Sequence, residues 1–238
     1  MTGHWTAAQA DETSGLKAYK NVRLLDPHSN LDLICDHTGG LLTDGKKISS
    51  FGPDIFKEGI PEKAEVIDGK GLCLSPGLVD IRVQVREPGY EHKGTIESAG
   101  RAATAGGVTT MACLPNTKPI IADMSQVEFV ARRARKIGLS KIYPYAALTK
   151  DLKGEELTEI GILAEAGAIA FTDGDQTIAN AQVLRRALSY ARTFNLLIVQ
   201  HPEEPSLVPP GGMNAGETAT RLGLPGIPKE AEIIIVER

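Results

Sequence analysis

The sequence predicts an α/β protein: a β-rich segment over residues 16–75, then alternating strands and helices from residue 76 onward. Three observations carry this. Before Ser75 the apolar residues come in short runs broken by turn residues, LKAYKNVRLLDP, LDLICDHTGG, LLTDGKKISSFGP and AEVIDGKGLCLSPG, the texture of a small β domain. After Pro76-Gly77 strand-like apolar runs alternate with helical periodicity, the signature of βα units on a parallel sheet. Those runs begin about every 30 residues, the length of a strand, a crossover helix and their loops.

Composition agrees. The chain has 238 residues, 42% hydrophobic and 24% charged, with a net charge of −4. A nucleic-acid binder needs clustered positive charge, a membrane span about 18 consecutive apolar residues, and a disordered chain far fewer apolar residues. None of these patterns is present, so neither nucleic acid nor membrane is an expected partner. Cys35, Cys73 and Cys113 lack CxxC or Cys/His spacing and read as reduced, core-packing thiols of a cytoplasmic protein. Residues 1–15 have neither a basic region nor an apolar one, so a disordered tail is expected there rather than a secretory signal.

Taken in order, Asp44-Gly45 and Asp68-Gly69 are hairpin signals within the β segment. The strands expected after it are residues 78–85, 108–114, 142–148, 168–172 and 196–200. Helices are expected near 95–105, from Ser125 to Gly138, near 155–166 and near 179–194. Ser125 with Glu128 reads as a capping box, Val127, Val130, Ala131, Ala134 and Ile137 form one apolar stripe, and Gly138 suits the position after a helix end. Five units at this spacing suggest an open doubly wound sheet or part of an eight-stranded (β/α)8 barrel, which by itself takes about 250 residues. The final PKEAEIIIVER is helical in pattern with no strand after it, so a truncated barrel, a fragment and a smaller open fold all remain open.

Polar residues in strands point to chemistry. Asp80, Arg82, Gln84 and Arg86 alternate with Ile81, Val83 and Val85 and therefore share one strand face. A parallel strand is normally apolar on both faces, so four polar groups there mean a site, an edge strand or an internal Asp80–Arg82 salt bridge. Asn116, Asp173 and His201 each follow a later strand, at the end where parallel α/β folds build their sites. Asp173 and His201 have donor atoms that suit zinc, but a catalytic zinc usually takes three protein ligands. The other histidines, His4, His28, His37 and His92, lie on no expected strand end. No GxSxG, P-loop or HExxH occurs, the Gly106-Gly107 pair follows a helix rather than opening one, and Glu203-Glu204 sit in a Pro-rich loop.

Residues 76–119, PGLVDIRVQVREPGYEHKGTIESAGRAATAGGVTTMACLPNTKP, resemble the signature block of class I dihydroorotases of the amidohydrolase superfamily. REPG, EHK, AGGVTT and PNT occur in the family's order and spacing, FTDGD and HPEE fall where its next motifs lie, and the likeness runs over about residues 16–238. The resemblance implies a small N-terminal β-sandwich, residues 16–75, beside a zinc-dependent (β/α)8 TIM-type barrel, incomplete here, whose first five to six units are residues 76–238. It implies interconversion of dihydroorotate and N-carbamoyl-L-aspartate in de novo pyrimidine biosynthesis. It assigns Arg86 and Asn116 to the substrate, Arg86 holding its carboxylate, and Asp173 and His201 to metal. A planar guanidinium suits bidentate binding of a carboxylate.

The chain departs from the family at the metal-binding HxH, which is Arg82-Val83-Gln84 here. Arginine is a permanent cation with no lone pair to donate, and Gln84 is a weak ligand. The strands that carry the family's last metal histidine and catalytic aspartate would follow Arg238. The resemblance is therefore to the non-catalytic, dihydroorotase-like members, with Arg82 expected to pair with Asp173 in the vacated metal position. Such members can act as structural subunits for aspartate carbamoyltransferase, so the resemblance implies that enzyme as the partner and an oligomeric assembly. Two alternatives stand beside this: an active cyclic amidohydrolase with one metal held by Asp173, His201 and groups outside the chain, and a carboxylate-binding module that keeps Arg86 and Asn116.

Overall fold

The computed structural model describes residues 15–237, so the expected N-terminal tail lies almost wholly outside the described residues. Two compact units divide the chain, one ending at Gly77 and the other beginning at Leu78.

The first unit holds β1 (Leu16–Asp26), β2 (Leu31–Asp44), β3 (Lys47–Gly52), β4 (Glu65–Asp68) and β5 (Cys73–Leu74). They form one sheet in the order β3-β2-β1-β4, with β5 also paired to β1. Asp44-Gly45 turns the β2–β3 hairpin as expected, with Gly45 left-handed at φ 54°. Asp68-Gly69 does not make a hairpin: β4 and β5 both run parallel to β1. The Asp68 carboxylate instead accepts from Lys70 N and Asn21 Nδ2, closing a local turn that carries the chain from one half of β1 to the other. Val22, Leu24 and Cys35 are the buried centre of this unit. Cys73 is exposed, against the expectation of core packing, because β5 is only two residues long.

The second unit begins with β6 (Leu78–Val83), α1 (Ile96–Ala105), β7 (Val108–Cys113), α2 (Met124–Ile137), β8 (Lys141–Pro144) and β9 (Ala146–Ala147). It continues with α3 (Ile160–Ala166), β10 (Ala170–Thr172), α4 (Ala181–Thr193) and β11 (Leu197–Ile198). Then come β12 (Met213–Asn214), α5 (Glu217–Leu222), β13 (Gly226–Ile227) and α6 (Glu230–Glu237). The pairings β6–β7, β7–β8, β9–β10 and β10–β11 are all parallel. Tyr145, the single residue between β8 and β9, donates its N–H to Cys113 O. The five expected strands therefore lie side by side in chain order, joined by helices.

The core follows from the strand and helix patterns. Val127, Val130 and Ala134 of α2 pack with Ile96, Met111, Ile142, Leu163 and Phe171 in one buried cluster. Cys113 lies inside it, and burial pushes its thiol up to about 12, which makes it an inert packing group. The strand β6 is the exception: Val79 and Ile81 are 63% and 66% exposed, as befits an edge position among the described residues.

Two helix starts differ from expectation. Asp123, not Ser125, caps α2, its Oδ1 accepting from Ser125 N at 2.8 Å and Gln126 N at 3.1 Å. A carboxylate is a stronger acceptor there and favours the positive helix end. The third helix starts at Ile160 rather than near residue 155, because the preceding residues are spent on pairing. Leu157 bridges Thr149, and Thr158 donates its backbone N–H to Leu148 O and its hydroxyl to Ala147 O. No helix among the described residues is long and apolar enough to cross a membrane.

Candidate functional site

Strand ends on one side of the parallel sheet bring four polar residues together. Arg82 lies on β6, Gln84 just after it, Asn116 three residues after β7, and Asp175 three residues after β10. The Asp175 carboxylate is the centre. Its Oδ1 accepts from Arg82 Nη2 at 2.6 Å, and its Oδ2 from Gln84 Nε2 at 2.7 Å and Asn116 Nδ2 at 3.3 Å. The shared strand face expected of Arg82 and Gln84 is thus real, and its counter-charge comes from 91 to 93 residues further along the chain. Asp80 has a local task, accepting from the Arg82 backbone N–H at 3.0 Å, so the Asp80–Arg82 side-chain pair does not form.

Asp173 has a different place. It is 2% exposed, and its Oδ1 accepts from Leu148 N at 3.0 Å and Thr149 N at 2.8 Å, while Thr149 Oγ1 donates to its Oδ2. Burial raises its carboxyl above the ordinary range, against the lowering effect of those hydrogen bonds. Asp173 is a staple between the end of β10 and the segment after β9. Gly174, left-handed at φ 69°, turns the chain between the two aspartates. The expected Arg82–Asp173 pair is therefore corrected to Arg82–Asp175. A charged arginine calls for a counter-ion, but FTDGD offers two aspartates, and only the Gly174 turn distinguishes them.

His201 follows β11 and is half-buried; its Nε2 stands 3.9 Å from Glu203 Oε1, and its carbonyl accepts from Thr177 Oγ1 at 2.7 Å. It joins neither Asp173 nor the Asp175 cluster through any hydrogen bond or ion pair among the described residues. Nor does any group of three or more His, Cys, Asp or Glu side chains gather there to hold a metal. The lone pairs of Asp175 face three N–H donors, one of them a guanidinium that would repel a divalent ion. The residues present do not fit a bound metal.

Arg86 is held differently. It stands in the left-handed region at φ 67°, which is uncommon for a residue with a Cβ and persists only where its flanks impose it. Its carbonyl accepts from Tyr90 N at 3.0 Å, and Pro88 O accepts from Lys118 N at 3.0 Å. A Cβ on Gly89, which lies at φ 93°, would stand 1.9 Å from Lys118 O, so only glycine lets the two loops meet. The loops of Arg86 and Asn116 are in this way fastened together. Among the described residues Arg86 has no carboxylate partner. Sequence reasoning overlooked Glu87, a buried acid behind this loop; the signal available was a charged residue inside a turn of Pro and Gly.

A family model described as "Dihydro-orotase-like" matches residues 71–238. A dihydroorotase of Pelobacter propionicus is 43% identical over 219 residues, which cover 92% of this chain and 50% of the relative. One of Wolbachia sp. subsp. Brugia malayi is 41% identical over 240 residues, 100% of this chain and 53% of the relative. The chain spans about half the length of the curated relatives it matches. Among solved structures, an L-hydantoinase (dihydropyrimidinase) from Arthrobacter aurescens aligns over 80% of this chain and 41% of its own, with TM-score 0.65 and 21% identity. A dihydropyrimidinase from Brevibacillus agri aligns over 81% of this chain and 41% of its own, with TM-score 0.61 and 19% identity. These two likenesses speak to the fold.

Proposed function

Because the chain belongs to the dihydroorotase-like family, we propose that it serves de novo pyrimidine biosynthesis as a catalytically impaired member, one that binds the carboxylate of dihydroorotate or N-carbamoyl-L-aspartate without hydrolysing the ring. The observation that carries this is the Asp175 cluster: Arg82 and Gln84 stand where the family's HxH is expected, and both donate to one carboxylate. An internal ion pair stands in that position, and among the described residues no three-ligand group gathers to supply the zinc-lowered water pKa on which metal-assisted hydrolysis depends. Arg86, without an acid partner among the described residues, is the substrate-holding group; Asn116, which the resemblance also assigns to the substrate, already donates to Asp175 at 3.3 Å and has one amide N–H left to offer a ligand. Asp173 keeps its structural task and His201 has no metal to hold.

In this reading the five parallel strands are the first part of a (β/α)8 barrel, and the N-terminal sheet is one layer of a β-sandwich. The protein is cytoplasmic and acts as a structural partner of aspartate carbamoyltransferase in a mixed oligomer. The test has two arms. Purified chain supplied with zinc is expected to leave dihydroorotate unchanged, and to co-elute with aspartate carbamoyltransferase on size exclusion. Turnover by the wild-type chain overturns the first claim, and separate elution the second.

A second reading is favoured by one fact, that the chain spans about half of its curated relatives. In it, residues outside this chain complete a metal site with Asp173 and His201, and the assembly is an active cyclic amidohydrolase. Metal content separates the two. Arg82→His with Gln84→His that gains zinc marks the strand as the former ligand position.

A further inference from the structure

We infer that buried Glu87 and half-exposed Arg133 form a clamp that positions Arg86, a role that rests on the carboxylate-binding reading of Arg86 above. Glu87 is adjacent to Arg86 in the chain and its side chain is 8% exposed. Its Oε2 accepts from Ile96 N, the first residue of α1, at 2.8 Å, and its Oε1 accepts from Arg133 Nε of α2 at 3.1 Å. Buried carboxylates are costly unless paired and hydrogen-bonded, and both partners here belong to helices packed into the main core. The clamp therefore transfers the rigidity of two helices to one loop residue.

That rigidity has a use at Arg86. A left-handed arginine relaxes to the common backbone regions unless its neighbours hold it. Further along the loop the chain is held by Tyr90 N on Arg86 O and by the Gly89–Lys118 approach. Immediately after Arg86 the Glu87 side chain supplies the anchor. Arg133 lies on the helix and has no place in the Asp175 cluster, so it acts on a ligand only through Glu87. Both are positioning residues.

The clamp is tested by titration calorimetry of the full chain with N-carbamoyl-L-aspartate. Glu87→Gln keeps the size and one acceptor but loses the ion pair. Arg133→Met removes the partner from a side chain 41% exposed, so it reads the clamp even where Glu87→Gln misfolds. Each is expected to weaken binding about tenfold, the order of one hydrogen bond to a charged group, and Arg133→Lys to recover part of the loss. In an Arg86→Ala background Arg133→Met should cause no further loss, a non-additivity that a merely structural role does not produce. Wild-type affinity in both clamp variants, with binding weakened by Arg86→Ala, overturns the clamp alone. No heat from the wild-type chain overturns the carboxylate reading, and the clamp's purpose with it.

Discussion

Two regions a few residues apart carry arginines with opposite fates. On β6, Arg82 is neutralised by Asp175, and Gln84 and Asn116 complete that carboxylate's hydrogen bonds. In the loop behind it, Arg86 has no carboxylate partner among the described residues, while its neighbour Glu87 is buried and doubly bonded. The chain satisfies the charge where its family resemblance implies a metal, and holds an unsatisfied charge where that resemblance implies a substrate carboxylate. Pairing, not burial, distinguishes a closed site from an open one where residue type does not: both are arginines, and the paired one is itself half exposed.

The comparison breaks most severely at Gly89. Gly89→Ala would drive a methyl into Lys118 O at a positive φ, and we expect a loss of about 3 kcal/mol or more, seen in thermal melts, together with loss of carboxylate binding. Two residues before the Asp175 cluster, Asp173→Ala would leave Leu148 N and Thr149 N without their acceptor in a buried site, at a cost of about 1–3 kcal/mol for each unsatisfied group.

The pH dependence of Asp173 sharpens this further. Its folded pKa is raised by burial, so the folded state binds the proton more tightly than the unfolded state. The stability that proton contributes is fully present below the unfolded pKa and is lost as pH rises through the folded one. Wild type should thus lose stability relative to Asp173→Asn as pH rises above the ordinary carboxylate value of about 4, measured as the difference between their melting curves.

Arg86→Ala should weaken binding of N-carbamoyl-L-aspartate by roughly tenfold to a hundredfold, the range for a hydrogen bond to a charged group, while Arg82→Ala leaves it unchanged. The smallest effect is expected for Asp175→Asn. Arg82 and Asp175 are each about half exposed, so stability should change by no more than about 1 kcal/mol. A large loss there would mean that the cluster carries more of the fold than its exposure allows.

Much of the fold was legible because local pattern and global order agree. The apolar runs at residues 108–114 and 142–148 and the stripe of α2 recur as buried strand and helix faces. The misreadings arose where a tertiary partner decided the outcome. Asp68-Gly69 has hairpin chemistry, yet β1 offers both flanking strands a parallel edge. Residues 155–159 have helical spacing, yet Thr158 is claimed by the backbone of Ala147 and Leu148. At the site, the strand face of Arg82 and Gln84 was readable from alternation, but the identity of their acid was not. Choosing Asp175 over Asp173 depends on the left-handed Gly174 and on the distant N–H groups of Leu148 and Thr149 that take up Asp173.

If the Arg82–Asp175 pair takes the place of the metal, the chain has no position left for zinc. Elemental analysis of the purified chain after incubation with zinc and desalting is expected to find no stoichiometric zinc in the wild type. About one zinc retained per chain would contradict it, since the Arg82–Asp175 pair and a divalent ion cannot share that position.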